Sequence, residues 1–254
     1  MGQVPAATRT LRVLKFLATQ PAPVSLARLA TACDLPRSTA YHLLAAMVDE
    51  GFVVHLPDEH RYGLGVAAFE VGSGFSRQEP LQRLARRQLA DLVDATGESA
   101  HLVALHGRDV LYLVEERAPG RPPLVTDVGV RLPAHLTASG RAILASLPAA
   151  QVRALYPDRS AFVDRHGVGP RSLSALRELL AETRQRGYAT EEGEVTPGLA
   201  SIASAVLDHN GHPVAGLAVT YTPGEGAAFP GPVVAAVRRT AAAVSRRIGG
   251  RTAG

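Results

Sequence analysis

Cysteine is nearly missing from these 254 residues, Cys33 standing alone. A single thiol excludes an intrachain disulfide and a cysteine-rich zinc site, and leaves a buried structural thiol as its reading. Lysine is equally scarce: Lys15 is the only one, and the other basic residues are all arginine. Long apolar runs are absent. No stretch reaches the roughly 18 consecutive apolar residues of a membrane span. The opening "MGQVPAATRTLRVLKFLATQP" also lacks the apolar centre and small-residue cleavage site of a secretion signal. These absences predict a cytoplasmic protein with no membrane partner. Internal repeats, low-complexity tracts and glycine-rich phosphate loops are absent as well.

What is present describes a globular chain with a sizeable core, one large domain or two ordinary ones: 46% hydrophobic and 20% charged. A net charge of +4 permits an anionic partner without demanding one. The basicity is spread out. Residues 1–66 carry six Lys/Arg against five Asp/Glu, and residues 67–254 carry 21 against 18.

The first fifty residues hold three short helical patterns. Leu11, Leu14 and Leu17 share one side of a helix over Thr8 to Thr19, which stops before the proline pair of "QPAP". Ser25 is a good N-cap for "SLARLATA", with Leu26, Leu29 and Ala30 at helical spacing. In "LPRSTAYHLLAAMVDEGFV", Pro36 suits the first helical position, and Ala40, Leu43, Leu44, Met47 and Val48 define a buried face. Past Gly51, "FVVHL", a "PDEHR" turn and "YGLG" read as a β-hairpin. Three helices followed by a hairpin make a winged helix-turn-helix at 1–66.

A polar joint follows at 67–80, then an amphipathic helix from Leu81 to Thr96 that Gly97 ends. Further on, hairpins are expected around Gly107-Arg108-Asp109 and around Asn210-Gly211. Helices are expected from Ser172 to Gly187 and from Val233 to Ile248. Antiparallel hairpins with helices at intervals predict an α+β domain at 81–254 rather than a doubly wound parallel sheet.

A helix-turn-helix works through its second helix, whose N-terminal residues reach base edges in the major groove while neighbouring elements anchor phosphates. In the third helix Ser38, Tyr41 and His42 point away from the buried face, and Arg37 and Thr39 share its first turns. Arg37 can pair with phosphate or bidentately with guanine. Ser25, at the start of the preceding helix, is a second candidate phosphate contact, and Arg61, placed at the wing tip, is a third. Double-stranded operator DNA is the partner this arrangement fits.

With these segments in view, the chain resembles the IclR-type bacterial transcriptional regulators. The resemblance rests on "VSLARLATACDLPRSTAYHLLAAMVDEGFV" followed by "RYGLG", on "GVRLPAHLTASGRAILA" (129–145) and on "RGYATEEGEVTPGLASIASAV" (186–206), in that order and spacing. It implies an N-terminal winged helix that binds DNA, a linker helix, a C-terminal GAF-like α/β effector-binding domain, and dimers or tetramers. It also implies an effector pocket against the residues matching Leu136, Thr137, Ala138, Ser139 and Gly140, and against the segment from Glu191 to Ser201. Three positions depart from the usual pattern: Arg141 stands where lysine is usual, Ser201 where cysteine is frequent, and Ala205-Val206 where proline-valine is common.

Physical reading of the same residues is compatible with a pocket. Thr137 can cap a helix starting near Ser139, which would turn the N–H groups of Ala138, Ser139 and Gly140 toward a small carboxylate. Leu136 and Leu199 would be apolar walls and Ser201 a hydroxyl. The expected ligand is a small metabolite such as a carboxylic acid or an aromatic catabolite.

Enzyme chemistry has weaker signals. The nine histidines form no HExxH and no His/carboxylate cluster at ligand spacing, so neither metal nor cofactor is expected. Those at 101, 106, 209, 212, 55 and 60 read as surface or strand-packing residues. "GSGFS" at 72–76 lacks the strand-to-helix setting of a nucleophile elbow. Glu115, Glu116, Glu191, Glu192 and Glu194 supply possible acid/base pairs, although runs of glutamate are usually solvated. The leading expectation is a ligand-modulated DNA-binding regulator. The alternatives are a GAF-like-domain enzyme with a DNA-binding head, or a constitutive DNA-binding protein without a ligand.

Overall fold

The computed structural model of the chain describes residues 4–71, 80–121, 126–223 and 231–250. It divides into two units, Met1–Glu79 and Pro80–Gly254. The "GSGFS" stretch lies outside the described residues.

In the first unit α1 (Pro5–Ala18) starts earlier than its apolar pattern suggests, because proline is tolerated where the first N–H groups have no helical acceptor. Ser25 ends a two-residue strand, β1 (Val24–Ser25), and caps α2 (Leu26–Ala32), its Oγ accepting from Arg28 N at 3.3 Å. The turn out of α2 closes when Leu35 N–H donates to Ala30 O at 2.9 Å, with Asp34 at a φ of 54°. Aspartate tolerates this left-handed conformation better than most residues. Then α3 runs over Arg37–Asp49, with Pro36 one position earlier than expected, at its N-cap. Strands β2 (Val53–Leu56) and β3 (Arg61–Leu64) form the wing, and β1 joins them in the order β1-β3-β2.

The face of α3 foreseen from spacing does enter the core: Ala40, Leu44 and Met47 are buried with Val13, Leu29 and Val53, and Leu43 and Val48 pack beside them. Leu29 and Leu44 are fully covered, each contributing roughly 1.5–3 kcal/mol by leaving water. Cys33 is buried in the same cluster, which pushes its thiol pKa up and leaves it inert. A further helix, α4, begins after the wing, with residues 66–71 described.

The second unit contains α5 (Pro80–Thr96), β4 (Ser99–His106), β5 (Asp109–Glu116), β6 (Arg131–Pro133), α6 (Ala138–Ser146), α7 (Ala149–Leu155), α8 (Leu173–Arg186), β7 (Ala189–Glu192), β8 (Ala200–Leu207), β9 (Pro213–Tyr221) and α9 (Gly231–Arg247). Both expected hairpins form, as β4-β5 and β8-β9, and Ser172 and Gly187 cap α8 as foreseen. All pairings in the sheet β6-β5-β4-β9-β8-β7 are antiparallel.

Alternation gives this sheet two unlike faces. One carries Leu102, Ile202, Val206, Leu217 and Val219, packed with Leu89 and Leu92 of α5 and Val237 and Val244 of α9. The other is made of small residues where α6 lies on it: Ala138 and Ala142 meet Ala189, Ala203 and Ala218. A Cβ at Gly216 would fall 2.5 Å from the carbonyl oxygen of Ser139, so glycine lets the first turn of α6 rest on the sheet backbone.

Candidate functional site

Arg37, Ser38, Tyr41 and His42 are exposed on the first two turns of α3, and Thr39 is half-buried. Tyr41 is 54% exposed, and its ring meets that of His42 edge-on, with centroids 5.7 Å apart. The outward face is therefore rigid enough to present two rings beside Arg37 and Ser38, since its other side is anchored by Ala40 and Leu44. Ser25 is exposed, its lone pair engaged by Arg28 N while its hydroxyl proton stays available.

Arg61 departs from its expected place. The wing tip is the 3-10 turn Pro57–Glu59 with His60 at a φ of 51°. Arg61 begins β3 behind that tip, directly opposite Ser25. Its Nη1 donates to Pro23 O at 3.0 Å, and its Nε lies 3.9 Å from Glu59. The guanidinium is thus turned toward β1.

In the second unit a cavity lies between the first turn of α6 and the small-residue face of the sheet. Thr137, Ala138 and Ser139 form its roof, His101, Tyr112, Ser201, Ala218 and Thr220 its strand side, Thr126 one end, and Glu191, Val195, Thr196 and Leu199 the remaining wall. Nine of these thirteen residues carry polar side chains, so this is not a gap in an apolar core. Water centres have about 20 Å³ to occupy, roughly one or two molecules. An organic molecule enters only if a wall moves. The wall best able to move is the partly exposed loop between β7 and β8, which supplies Val195, Thr196 and Leu199.

That loop is latched from below. The buried Arg141 guanidinium donates to His135 O at 2.8 Å, to Thr190 O at 2.8 Å and to Glu194 Oε1 at 2.7 Å. Arg141 is therefore committed to holding Glu194 and β7, and it does not line the cavity.

Glu191 is buried, unlike the solvated glutamates its neighbours suggest. Its Oε1 accepts from Ser201 Oγ at 2.7 Å, and its Oε2 has no hydrogen-bond partner among the described residues. Burial pushes its pKa up to about 7; Ser201 opposes the rise, the adjacent Glu194 carboxylate adds to it, and Arg141 opposes it. Burial has the opposite effect on His101, lowering its pKa to about 4 with help from Arg117, so the ring is neutral and contacts Thr126 Oγ1 at 3.0 Å. The Tyr112 phenol is raised, chiefly by burial, and remains protonated.

Of the residues singled out from sequence, Thr137, Ala138, Ser139, Glu191, Leu199 and Ser201 meet at this cavity. Leu136 and Gly140 do not line it. Leu136 is buried, and a Cβ at Gly169 would fall 2.8 Å from its Cδ2. Gly140 donates its N–H to Thr137 Oγ1 at 3.0 Å, completing the cap, so this N–H is unavailable to a ligand. A Cβ at Gly140 would fall 2.2 Å from Ala134 O, making close packing the reason for this glycine. Sequence reasoning missed His101, Tyr112, Thr126, Thr196 and Thr220. A signal existed on β4, where Ser99 and His101 alternate with Ala100 and Leu102. Among the described residues, no group of three or more His, Cys, Asp or Glu side chains is arranged to hold a metal ion, and no helix is long and apolar enough to cross a membrane.

Comparison with known proteins finds a family match for each of the two units. Residues 6–57 match the IclR helix-turn-helix domain, and residues 76–246 match the C-terminal domain of IclR bacterial transcriptional regulators. The chain is 34% identical over 245 residues to the glycerol operon regulatory protein of Streptomyces coelicolor, covering 95% of each. It is 30% identical over 223 residues to the transcriptional repressor IclR of Escherichia coli, covering 86% of this chain and 80% of that protein. Among solved structures, an IclR-type regulator from Alicyclobacillus acidocaldarius matches with a TM-score of 0.82 at 25% identity, covering 98% of this chain and 100% of the other. An IclR homologue from Microbacterium hydrocarbonoxydans, crystallised with 4-hydroxybenzoate, has a TM-score of 0.81 at 21% identity, covering 96% and 98%. The chain belongs to the IclR family of bacterial transcriptional regulators, DNA-binding proteins that pair a helix-turn-helix with an effector-binding C-terminal domain.

Proposed function

We propose that this protein regulates transcription by reading an operator through α3 and that a small molecule seated in the cavity under α6 sets its operator affinity. The observation that carries the reading is the cavity itself: a polar chamber inside a domain whose other sheet face is packed with large aliphatic side chains. Arg37, Ser38, Tyr41 and His42 are the base- and phosphate-contacting set, with Thr39 and Ser25 beside them. Arg61 supports the wing. Thr137, Ala138, Ser139, Glu191, Leu199 and Ser201 hold the effector.

A ligand changes operator affinity only if it favours one arrangement of the protein over another. The cavity supplies two such arrangements. With room for only a water or two, it closes with the β7-β8 loop latched by Arg141, and an occupied cavity requires that loop to shift. A homodimer or tetramer would turn this local shift into a change in how two α3 helices meet a pseudo-palindrome. The neighbour bound to 4-hydroxybenzoate supports the use of this fold as a ligand receptor, and the Streptomyces glycerol operon regulatory protein supports a role in controlling an operon. The chemistry ends at binding: the cavity pairs its one carboxyl with hydroxyls, as a receptor does, rather than with an activated nucleophile.

The test is a footprint of the full-length protein on the DNA flanking its own gene, repeated with candidate metabolites while the metabolite is assayed for conversion. Ligand-dependent release or tightening without turnover supports the reading. Turnover identifies an enzyme, and an operator complex indifferent to every metabolite identifies a constitutive binder.

A further inference from the structure

The wall around Glu191 specifies what the effector must offer. Ser201 has one hydroxyl proton, and it goes to Glu191 Oε1. In the 3.0 Å contact between Ser201 Oγ and Thr220 Oγ1, Thr220 is therefore the donor. Two hydroxyl protons thus point in series toward one carboxyl group, and the other oxygen of that carboxyl, Oε2, still has no partner. A buried acceptor in this condition calls for a donor from the ligand. Among the described residues, no lysine or arginine lines the chamber. The guanidinium of Arg141, which acts on Glu191 from outside the chamber, donates from all three nitrogens to Thr190, His135 and Glu194.

We propose that the effector is an uncharged polyhydroxyl compound that donates hydroxyl protons to Glu191 Oε2, rather than a carboxylic acid. This rests on the reading of the cavity as the effector site. A ligand carboxylate has no proton to give Oε2, and above the pKa of about 7 of Glu191 it would bury a second negative charge beside that carboxylate, where the Arg141 guanidinium is already committed to Glu194. An ammonium group satisfies Oε2 but accepts nothing, so it offers no acceptor to the hydroxyl of Thr196 on the opposite wall, whereas His101 is already paired with Thr126 and Tyr112 with Ser139. A ligand hydroxyl both donates and accepts, and it matches both walls. Polyols of a few carbons are the size class for a chamber that must open to admit them.

Calorimetric titration of the full-length protein at pH 8 tests this with matched probes: glycerol, erythritol and ribitol, the corresponding acids glycerate, erythronate and ribonate, and 3-amino-1,2-propanediol. At least one polyol is expected to bind about tenfold more tightly than its acid, and glycerol, if it binds, more tightly than the amine. Glu191→Gln, checked for folding by its thermal transition, should reduce polyol affinity about tenfold. An acid or amine that binds as tightly as its polyol overturns the proposal, as does an indifferent Glu191→Gln or the absence of polyol binding. Ser201→Phe separates the two levels of the argument. If it abolishes binding of an acid, the cavity is the effector site and only the ligand class is wrong. If it leaves the binding of every ligand unchanged, the cavity reading fails as well.

Discussion

Ser201 and Glu191 sit directly opposite each other on the antiparallel pair β8-β7, and the Ser201 hydroxyl donates to Glu191 Oε1 at 2.7 Å. Among the described residues the pair carries the one carboxyl that lines the cavity, and its titration should be visible in stability. Glu191 titrates near 7 in the folded chain against an ordinary 4.5, so between those values the folded state holds a proton that the unfolded chain has lost. Its contribution to stability therefore falls as pH rises from 4.5 to 7. His101, lowered from 6.5 to about 4, acts in the opposite sense: its contribution falls as pH drops through that window. Comparing wild type with Glu191→Gln cancels His101 and leaves the coupled Glu191–Glu194 carboxyls as the source of the difference. The glutamine variant should gain on wild type by on the order of 2 kcal/mol between pH 5 and pH 8, measured by urea unfolding at each pH. A difference that stays flat with pH would show that Glu191 is not held neutral by its surroundings.

Enlarging Ser201 should block the chamber without touching the DNA-reading unit. Phenylalanine there fills a space that holds only a water or two and removes the donor to Oε1. Overpacking costs roughly 1–3 kcal/mol. The Ser201→Phe protein should bind operator with unchanged basal affinity and lose its response to the effector, as read by fluorescence anisotropy on labelled operator. A retained response would move the effector site elsewhere.

On the DNA side, Arg37→Ala removes a guanidinium from the exposed first turn of α3 while leaving the buried face of that helix intact. Operator affinity should fall about tenfold at matched salt, and the slope of log affinity against log salt should lose about one unit if the contact is to phosphate. If the slope is unchanged but a single base-pair preference relaxes, Arg37 reads a base instead. An unchanged dissociation constant would take Arg37 out of the interface.

How much of this was legible in the sequence follows from the range over which each feature is determined. The cap at Thr137, the buried face of α3 and the turns at Gly107 and Gly211 depend on neighbours a few residues apart, and spacing revealed them. The cavity depends on strand order. Its wall joins β4, β9 and β8, and alternation shows that a strand has two faces without showing which strands lie side by side. Spacing therefore could not show that His101 and Thr220 line the same cavity as Ser139. Glu191 looked solvated inside "TEEGE" because its burial comes from pairing with Ser201, ten residues on. Arg61 looked like a wing-tip contact because β1, whose approach supplies Pro23 O, is too short to show a period.

The strongest test of the latch is a double-mutant cycle on Arg141 and Glu194, 2.7 Å apart, with side chains 3% and 12% exposed. Removing one partner of such a pair leaves a charge with little water to solvate it, at a cost of roughly 3–5 kcal/mol. Arg141→Met also frees the carbonyls of His135 and Thr190, so it should be the more damaging single change. Glu194→Gln keeps the size of the side chain but loses the charge and one of two acceptor oxygens, since Oε1 accepts from Arg141 and Oε2 from the Glu192 N–H. If the ion pair holds the β7-β8 loop over the cavity, the double variant should be more stable than the sum of the single losses by about 1–3 kcal/mol, since glutamine no longer requires a cation. Effector affinity should change in both single variants, because Val195, Thr196 and Leu199 belong to the loop that Glu194 anchors. Simple additivity of the two substitutions, with effector affinity unmoved, would show that the arginine supports β7 and α6 alone and that the loop is held by its own backbone.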